Sequence, residues 1–441
     1  MNILVIGGGG REHAIIKKLK CSPDAGSIYA MPGNGGIARD AVCLAGAATD
    51  AEAALRYAKE YAVDFAVVSP DEPLVQGVAD KLREAGVRTF GPSAKAAALE
   101  GSKVFAKNFM QKYGIPTARY EVFDDSARAL AYITAQGAYP AVIKADGLAL
   151  GKGVVIAADF AEAEAALRRV MEEKAFGASG NRVVVEEFLS GTEVTVLTFT
   201  DSKTVAPLVS SMDHKCAFDG DEGPNTGGMG VIAPNPQYTP ELAAECMERI
   251  FRPTVEAMNA EGRPFKGCLY FGLMLTAAGP KVVEYNCRFG DPEAEAVLPL
   301  LETDLLTVMQ AVEDERLAEI GVRFRPSASA CVVLASGGYP ASYRAGFPIE
   351  GLPAPDAEKV AEQRGVYVFH AGTAFSDWGA GKPLVTAGGR VLAVTALADD
   401  LPQAIQKVYE AAGQIRFQDM RFRRDIGRKA LAFGNAERPS F

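Results

Sequence analysis

Apolar residues in the first hundred positions follow two alternating spacings. Short unbroken runs at 3–6, 27–31, 64–68 and 88–90 read as buried strands. Segments 12–20, 50–61 and 74–85 carry apolar side chains three and four apart, the spacing of amphipathic helices. Strands alternating with helices predict an α/β fold with a parallel, doubly wound sheet. Gly91-Pro92-Ser93 then punctuates the chain, and a helical pattern runs on to about Lys112.

From Tyr120 the pattern is mixed: a strand, a helix over 125–136, a strand at 141–144, a glycine loop, a strand at 154–157 and a helix over 161–173. Strands follow at 183–188, 193–200 and 204–209, then a Gly/Asp/Asn-rich loop over 213–230 and a helix near 241–259. Segments 269–276 and 281–285, separated by Ala277-Ala278-Gly279-Pro280, predict a β-hairpin. Residues 322–327 read as a linker, and 329–413 as strands and glycine turns with one late helix. Three domains are expected: a doubly wound parallel-sheet domain over 1–102, a central α+β region over 103–325 with 120–190 as a mobile lid, and a mixed α/β domain over 326–441.

Composition agrees with three globular domains: 441 residues, 48% hydrophobic and 23% charged, at roughly 150 residues per domain. The 45 glycines and 25 prolines form no Gly-X-Y period and no low-complexity tract. A net charge of −9 argues against a nucleic-acid partner. The seven cysteines contain no CxxC pair and, being odd in number, fit no disulfide framework, which points to a reducing cytoplasm. No apolar run approaches the ~20 residues that span a bilayer, and the chain enters a strand at once without a cationic leader, so no membrane partner and no signal peptide are expected. Three histidines, at 13, 214 and 370, disfavour multi-histidine metal chemistry.

Four segments carry candidate chemistry. Gly7-Gly8-Gly9-Gly10-Arg11-Glu12-His13 follows a strand and opens a helix, which suits an anion. No acidic residue ends the second strand, so a small phosphorylated ligand is favoured over a nicotinamide cofactor; a plain tight turn is the alternative. Lys144 at a strand end precedes Gly147, Gly151, Lys152 and Gly153, a loop able to cover a triphosphate, although GxxxxGK[ST] is absent; a solvated surface hairpin is the alternative. Glu186 and Glu187 precede Phe188 and Leu189 near a hinge, where backbone groups can read an adenine edge, or where carboxylates are simply solvated. Glu284 and Asn286, two apart in a strand, share a face and offer oxygen ligands for Mg²⁺ or Mn²⁺ held with nucleotide phosphates. Arg288, continuing that face, could neutralise charge on a transferred phosphoryl group.

Taken in order, GGGGREHA (7–14), PGNGG (32–36), LEGSK (99–103), IKADGLALGKGV (143–154), EEFLSGTE (186–193), DHK (213–215), GPNTGGMG (223–230), GLM (272–274), EYNCRFGDPE (284–293), GGYP (337–340), HAGT (370–373) and DIG (425–427) give the chain a resemblance over essentially its whole length. It resembles the ATP-grasp ligases and, among them, the glycinamide ribonucleotide synthetase family of purine biosynthesis. The resemblance implies that the central region is an ATP-grasp domain. It implies a reaction in which ATP phosphorylates glycine and 5-phosphoribosylamine attacks the acyl phosphate.

Carried over, Lys103 and Lys144 contact ATP phosphates, under a lid containing Gly147, Gly151 and Lys152. Glu186, with backbone around Phe188 and Leu189, reads adenine, and Glu193 holds the ribose. Glu284 and Asn286 bind the metal, and Arg288 and Lys144 are the catalytic residues. Gly8, Gly9, Gly10, Asn34 and Asp71 face the phosphoribosylamine, and Asp213, Lys215, Thr226, Gly228 and Met229 line the meeting place of glycine and amine. A monomer or weak homodimer is expected. The chain departs from the family's pattern with Ser69-Pro70-Asp71 in place of Gly-Pro-Glu and with Ala294-Glu295 in place of Thr-Gln; Gly272 stands, as in this family, where many ATP-grasp enzymes have an acidic ligand.

Overall fold

Ile3–Gly7, every residue of it buried, is the middle strand of the first sheet. Its side chains alternate between two cores: Ile3 and Val5 pack with Ala14 and Ile15 of the helix Gly10–Leu19. Leu4 and Ile6 pack with Ala53, Ala54 and Val78 of two other helices. Two buried faces are what an unbroken apolar run produces in a parallel sheet. The order is Val42–Cys43, Ile28–Pro32, Ile3–Gly7, Phe65–Val68, Arg88–Phe90, all parallel. Val42–Cys43 escapes the sequence pattern because it is a two-residue edge strand with Val42 exposed and Cys43 half-buried. A computed structural model of the chain describes residues 1–149, 153–376 and 383–436.

Two expected helices are broken. Asp71–Val75 and Val78–Glu84 are separated by Gly77 at φ +82°, a conformation glycine reaches without strain. Ala94–Gly101 and Lys103–Lys112 are separated by extended Ser102, whose hydroxyl accepts from the Phe105 N–H and donates to Asp146 at 2.8 Å. This second break places Lys103 in the first turn of a new helix.

The segment 120–187 forms an antiparallel sheet in the order Tyr120–Phe123, Val183–Glu187, Ala141–Ala145, Val154–Ala157. A second antiparallel sheet runs Val205–Pro207, Thr192–Asp201, Lys266–Thr276, Gly279–Asn286, its last pair being the expected hairpin. The helical stretch 240–260 is Pro240–Cys246 and Arg252–Ala260 joined by a π-turn at Met247–Phe251. Pro253 lacks an N–H and crowds the preceding turn, and the widened turn accommodates it.

A third large sheet, Met212–Asp213, Gly230–Ala233, Ala328–Ala335, Arg390–Ala398, Val366–His370, joins strands flanking the 213–230 loop to strands of the C-terminal region. Among the described residues, 329–413 carries two helices rather than one, Pro355–Gln363 and Leu401–Ala412, and a further helix, Arg428–Ala436, follows. The first of them is mostly exposed, including its one large apolar side chain, Val360. Residues 322–327 do not hang free: the Arg323 carbonyl accepts from Glu302 N–H, and Arg325 N–H donates to Leu300. Residues 293–301 are wholly buried between the first sheet, Thr192–Asp201 and the C-terminal sheet, so three regions share one core. No helix among the described residues is long and apolar enough to cross a membrane.

Candidate active site

The strand Gly279–Asn286 organises the site. From 284 to 289 burial alternates, with Tyr285, Cys287 and Phe289 inward and Glu284, Asn286 and Arg288 half-buried on the opposite face, as the period of two requires. Gly272 lies directly across from Glu284, and a Cβ there would sit 3.1 Å from the Glu284 Cγ. The absent acidic side chain therefore leaves room over Glu284 itself.

Three lysines converge beside this strand. Lys144 Nζ donates to the Val283 carbonyl at 3.0 Å and lies 2.9 Å from Glu186 Oε1 in an ion pair without hydrogen-bond alignment. Lys107 Nζ reaches the other Glu186 oxygen at 2.8 Å and also donates to Thr117. Lys103 Nζ donates to the Gly147 carbonyl at 2.8 Å. Burial pushes the Lys107 ammonium down to about 8 and lowers Lys103 as well. Two buried ammonium groups on one carboxylate leave excess positive charge beside this strand, an arrangement that attracts an anion.

Sequence reasoning gave Glu186 a ligand-reading role, but both of its oxygens are occupied by lysines. Phe188, exposed, and Leu189 follow it at the strand end. Lys107 was missed; it lies one helical turn beyond Lys103, so spacing could have found it. Replacing Glu186 with Gln should destabilise the fold by about 3–5 kcal/mol, because two buried charges lose their partner. Lys107→Met should cost much less, since Lys144 still pairs with Glu186. Urea unfolding of both variants checks this ranking, and equal losses would contradict it.

A carboxylate cluster adjoins the metal-type face. Lys215 Nζ lies 3.1 Å from Glu193 and 3.7 Å from Glu284. Burial would raise Glu284, but Lys215, Lys144, Lys103 and Arg288 together hold it below the usual carboxylate range. An ammonium thus already sits against Glu284 where a divalent cation would be at home, and Glu284 with Asn286 supplies the hard oxygen donors such an ion takes. Asp213 is raised well above the usual range by burial and by neighbouring Glu293 and Glu193. Gly228, at φ +110°, lets the loop pass so close that a Cβ there would lie 2.7 Å from Asp213 Oδ1.

Arg288 pairs with Glu100 at 2.9 Å and donates to Asn286 Oδ1 at 3.3 Å and to the Phe289 carbonyl, while its buried Nε–H has no acceptor among the described residues. Glu100 itself accepts the Cys287 N–H at 2.6 Å.

The first glycine loop is built more by internal demands than its sequence suggests. A Cβ on Gly8 would strike the Gly33 carbonyl at 2.4 Å, and one on Gly10 would meet Glu295 at 2.3 Å. The Gly9 N–H is taken by Glu12 at 2.6 Å. Asn34 donates to the Gly8 and His370 carbonyls and accepts from Gly36 and Ile37, which uses all four of its amide bonds. Ser69 has a local reason: its hydroxyl donates to Glu12 at 2.7 Å. Glu295 is fully buried, with burial and nearby Asp291 raising it well above the usual range. Asp71 opens its helix beside Arg288 and Glu100, whose charges it perturbs. Gly151 and Lys152 lie outside the described residues.

The loop after Asp213 is a short hairpin, Cys216–Phe218 with Glu222–Asn225. Thr226 spends its hydroxyl on the Lys215 carbonyl and the Gly228 N–H, and Met229 is buried. Arg390, also missed, bonds the Gly227 and Asp291 carbonyls at 2.7 Å and pairs with the Asp291 carboxylate at 2.9 Å. Only the folded chain brings position 390 to this loop.

His214 faces inward, its Nδ1 on the Gly230 carbonyl and its Nε2 accepting from Gly427. Burial, aided by Arg423, lowers it from 6.5 to about 4. The unfolded chain therefore binds the extra proton between these values, so this residue's stabilisation is full above pH 6.5 and is lost as pH falls. The stability gap between wild type and His214→Gln should shrink by about 3 kcal/mol from pH 7.5 to 4. Chemical denaturation across that range measures it, and a gap independent of pH would refute it.

Models of the phosphoribosylglycinamide synthetase N domain, ATP-grasp (A) domain and C domain match residues 1–100, 101–294 and 329–429. A phosphoribosylamine–glycine ligase of Caldanaerobacter subterraneus is 45% identical over 97% of this chain and 99% of its own. The crystal structure of a phosphoribosylamine–glycine ligase from Thermotoga maritima superposes with a TM-score of 0.83 at 33% identity, covering 97% of this chain and 100% of that one. The biotin carboxylase domain of Hydrogenobacter thermophilus 2-oxoglutarate carboxylase, solved with MgADP and bicarbonate, shares the fold alone, at TM-score 0.72 and 16% identity over 96% of this chain and 91% of that one.

Proposed function

The chain belongs to the phosphoribosylglycinamide synthetase family, and from that membership we infer that it ligates glycine to 5-phosphoribosylamine at the expense of ATP. The reaction runs through a glycyl phosphate and gives glycinamide ribonucleotide, ADP and phosphate, a step of de novo purine biosynthesis. The observation that carries the residue assignment is the meeting, at one strand, of Lys144 on the Val283 carbonyl with Glu284, Asn286 and Arg288 on the following face.

In this reading Lys103 and Lys144 hold the ATP phosphates, and Lys144 exchanges part of its contact with Glu186 for them. Lys107 stays behind to keep Glu186 paired. The backbone at Phe188 and Leu189 takes the adenine edge, Glu193 takes the ribose, and Gly147 with Gly151 and Lys152 closes over the phosphates within a lid spanning 120–190. Glu284 and Asn286 would hold Mg²⁺, with Mn²⁺ as a substitute, and such an ion would supply charge neutralisation at the phosphates. A glycine carboxylate oxygen attacks the γ-phosphorus and ADP leaves. The amine then attacks the glycyl carbonyl carbon, phosphate departs with the former carboxylate oxygen, and the amine loses a proton. Arg288 faces the transferring group. Asp213, Lys215 and the Thr226, Gly228 and Met229 turn border the acceptor, while the helix end at Gly8, Gly9 and Gly10, shaped by Asn34, and Asp71 face the phosphoribosylamine.

The proposed setting is the cytoplasm, as a monomer or weak homodimer without nucleic-acid or membrane partners; seven free cysteines support a reducing compartment. The test is ADP release that requires both glycine and phosphoribosylamine. Glycine labelled with ¹⁸O in its carboxylate should deliver one label to the released phosphate, and unlabelled phosphate would overturn the acyl-phosphate route.

A further inference from the structure

The hairpin that follows Asp213 and Lys215 is short and mostly exposed, and two strands of three and four residues cannot hold their shape alone. What holds this one comes from some two hundred residues later in the chain. Arg423 is among the most deeply buried large side chains of the protein, yet it belongs to no apolar core. Its Nε and Nη2 form a fork on the Asp425 carboxylate at 2.8 Å each, and its Nη1 reaches the hairpin, pairing with Asp221 at 2.8 Å and donating to the Cys216 carbonyl at 3.2 Å. Asp425 in turn accepts the Gly220 N–H at the hairpin tip, 2.9 Å away. Two residues on, the Gly427 N–H donates to His214, which lies between Asp213 and Lys215 in sequence.

The Arg423 and Asp425 side chains and the Arg424 N–H reach the hairpin, and Tyr409 of the helix Leu401–Ala412 braces the segment from behind, donating to the Arg423 carbonyl and accepting from the Ile426 N–H. Burying a guanidinium is costly unless it is fully paired, and hydrophobic replacements commonly serve stability as well or better. Here the paired geometry holds His214 and Cys216, the neighbours of Asp213 and Lys215, to the C-terminal segment. We propose that the segment 423–427 is a clasp that positions the 213–230 loop for ligation, with Arg423 as its central positioning residue. Arg423 touches no substrate; it acts through the hairpin. The proposal rests on the reading that this loop borders glycine and the attacking amine. A loop set about an ångström out of place leaves ATP binding untouched, weakens the acceptor's placement and exposes the glycyl phosphate to water.

The test uses the full chain and measures three quantities: the KM for glycine, the KM for ATP, and ADP formed per molecule ligated. Arg423→Lys keeps the charge but loses the fork. It should raise the glycine KM about tenfold and push the ADP-to-product ratio well above one, with the ATP KM within about twofold. A role in folding alone would lower active enzyme without splitting these constants. Should Arg423→Lys fail to fold, Asp221→Asn serves instead, since its side chain reaches solvent and only its pairing with Arg423 and Lys429 is lost. The same split, smaller in size, is expected from it. A folded variant of either kind with unchanged glycine KM and a ratio of one overturns the clasp. Asp213→Asn is measured alongside: if it leaves the glycine KM unchanged, the reading of the loop itself fails, and the clasp with it.

Discussion

Glu284→Ala is expected to lower kcat roughly a thousandfold or more, about 4 kcal/mol in the barrier, while leaving the fold intact. Glu284 is a half-buried side chain on the outward face of Gly279–Asn286, so its loss opens no cavity in the core. Its carboxylate is held ionised by four surrounding cations, Lys215, Lys144, Lys103 and Arg288. Truncation removes the negative member of that group and leaves the cations facing one another, besides removing a hard oxygen ligand. Nucleotide phosphates would still meet the lysines, so ADP binding without metal should fall only slightly. Two readouts separate these effects. Steady-state turnover at saturating Mg²⁺ should collapse, and Mn²⁺ binding in the presence of ADP, followed by electron paramagnetic resonance, should weaken sharply. Turnover within a few-fold of wild type would remove Glu284 from the metal site.

How much of this was legible beforehand depends on the range of the contact. The Glu284, Asn286 and Arg288 face needs only the period of a strand, and the structure displays it as alternating burial. The alternation of strands and helices likewise announced the first sheet, because each strand buries both faces. Spacing places Lys107 one turn beyond Lys103, but the pairings of Lys107, Glu100, Arg390 and Arg423 were not legible. Their partners lie between 79 and 207 positions away at Glu186, Arg288, Asp291 and Cys216, and no local pattern encodes such pairs. Asn34 shows a different failure. The motif drew attention to the right residue, yet its amide is consumed by four backbone groups, so the side chain shapes the glycine loop rather than offering a free polar group. Glu186, expected to read adenine, engages a pair of lysines, one of which the sequence had not put beside it.

Arg288→Lys is expected to lower kcat by roughly a hundredfold to a thousandfold, about 3–4 kcal/mol, with ATP binding nearly unchanged. The guanidinium is already anchored from behind: Nη2 holds Glu100 and Asn286, and Nη1 holds the Phe289 carbonyl. What remains is a buried Nε–H without a partner among the described residues. An orphaned buried donor on a cation costs free energy in the resting protein. That cost is offset if an oxygen arrives during the reaction, and the γ-phosphoryl group in transit to glycine carries such oxygens. Lysine keeps one positive charge, but a single ammonium cannot both hold Glu100 and present a second, fixed donor forward. It would follow Glu100 and leave the transfer unassisted. The loss should therefore appear in the chemical step: single-turnover formation of ADP in the presence of glycine should slow as much as kcat does, whereas the equilibrium affinity for ADP should stay within a few-fold. If single-turnover ADP formation were as fast as in wild type and only the later amine attack slowed, Arg288 would belong to the second half of the reaction, and its free Nε–H would be awaiting the tetrahedral oxygen rather than the phosphoryl group.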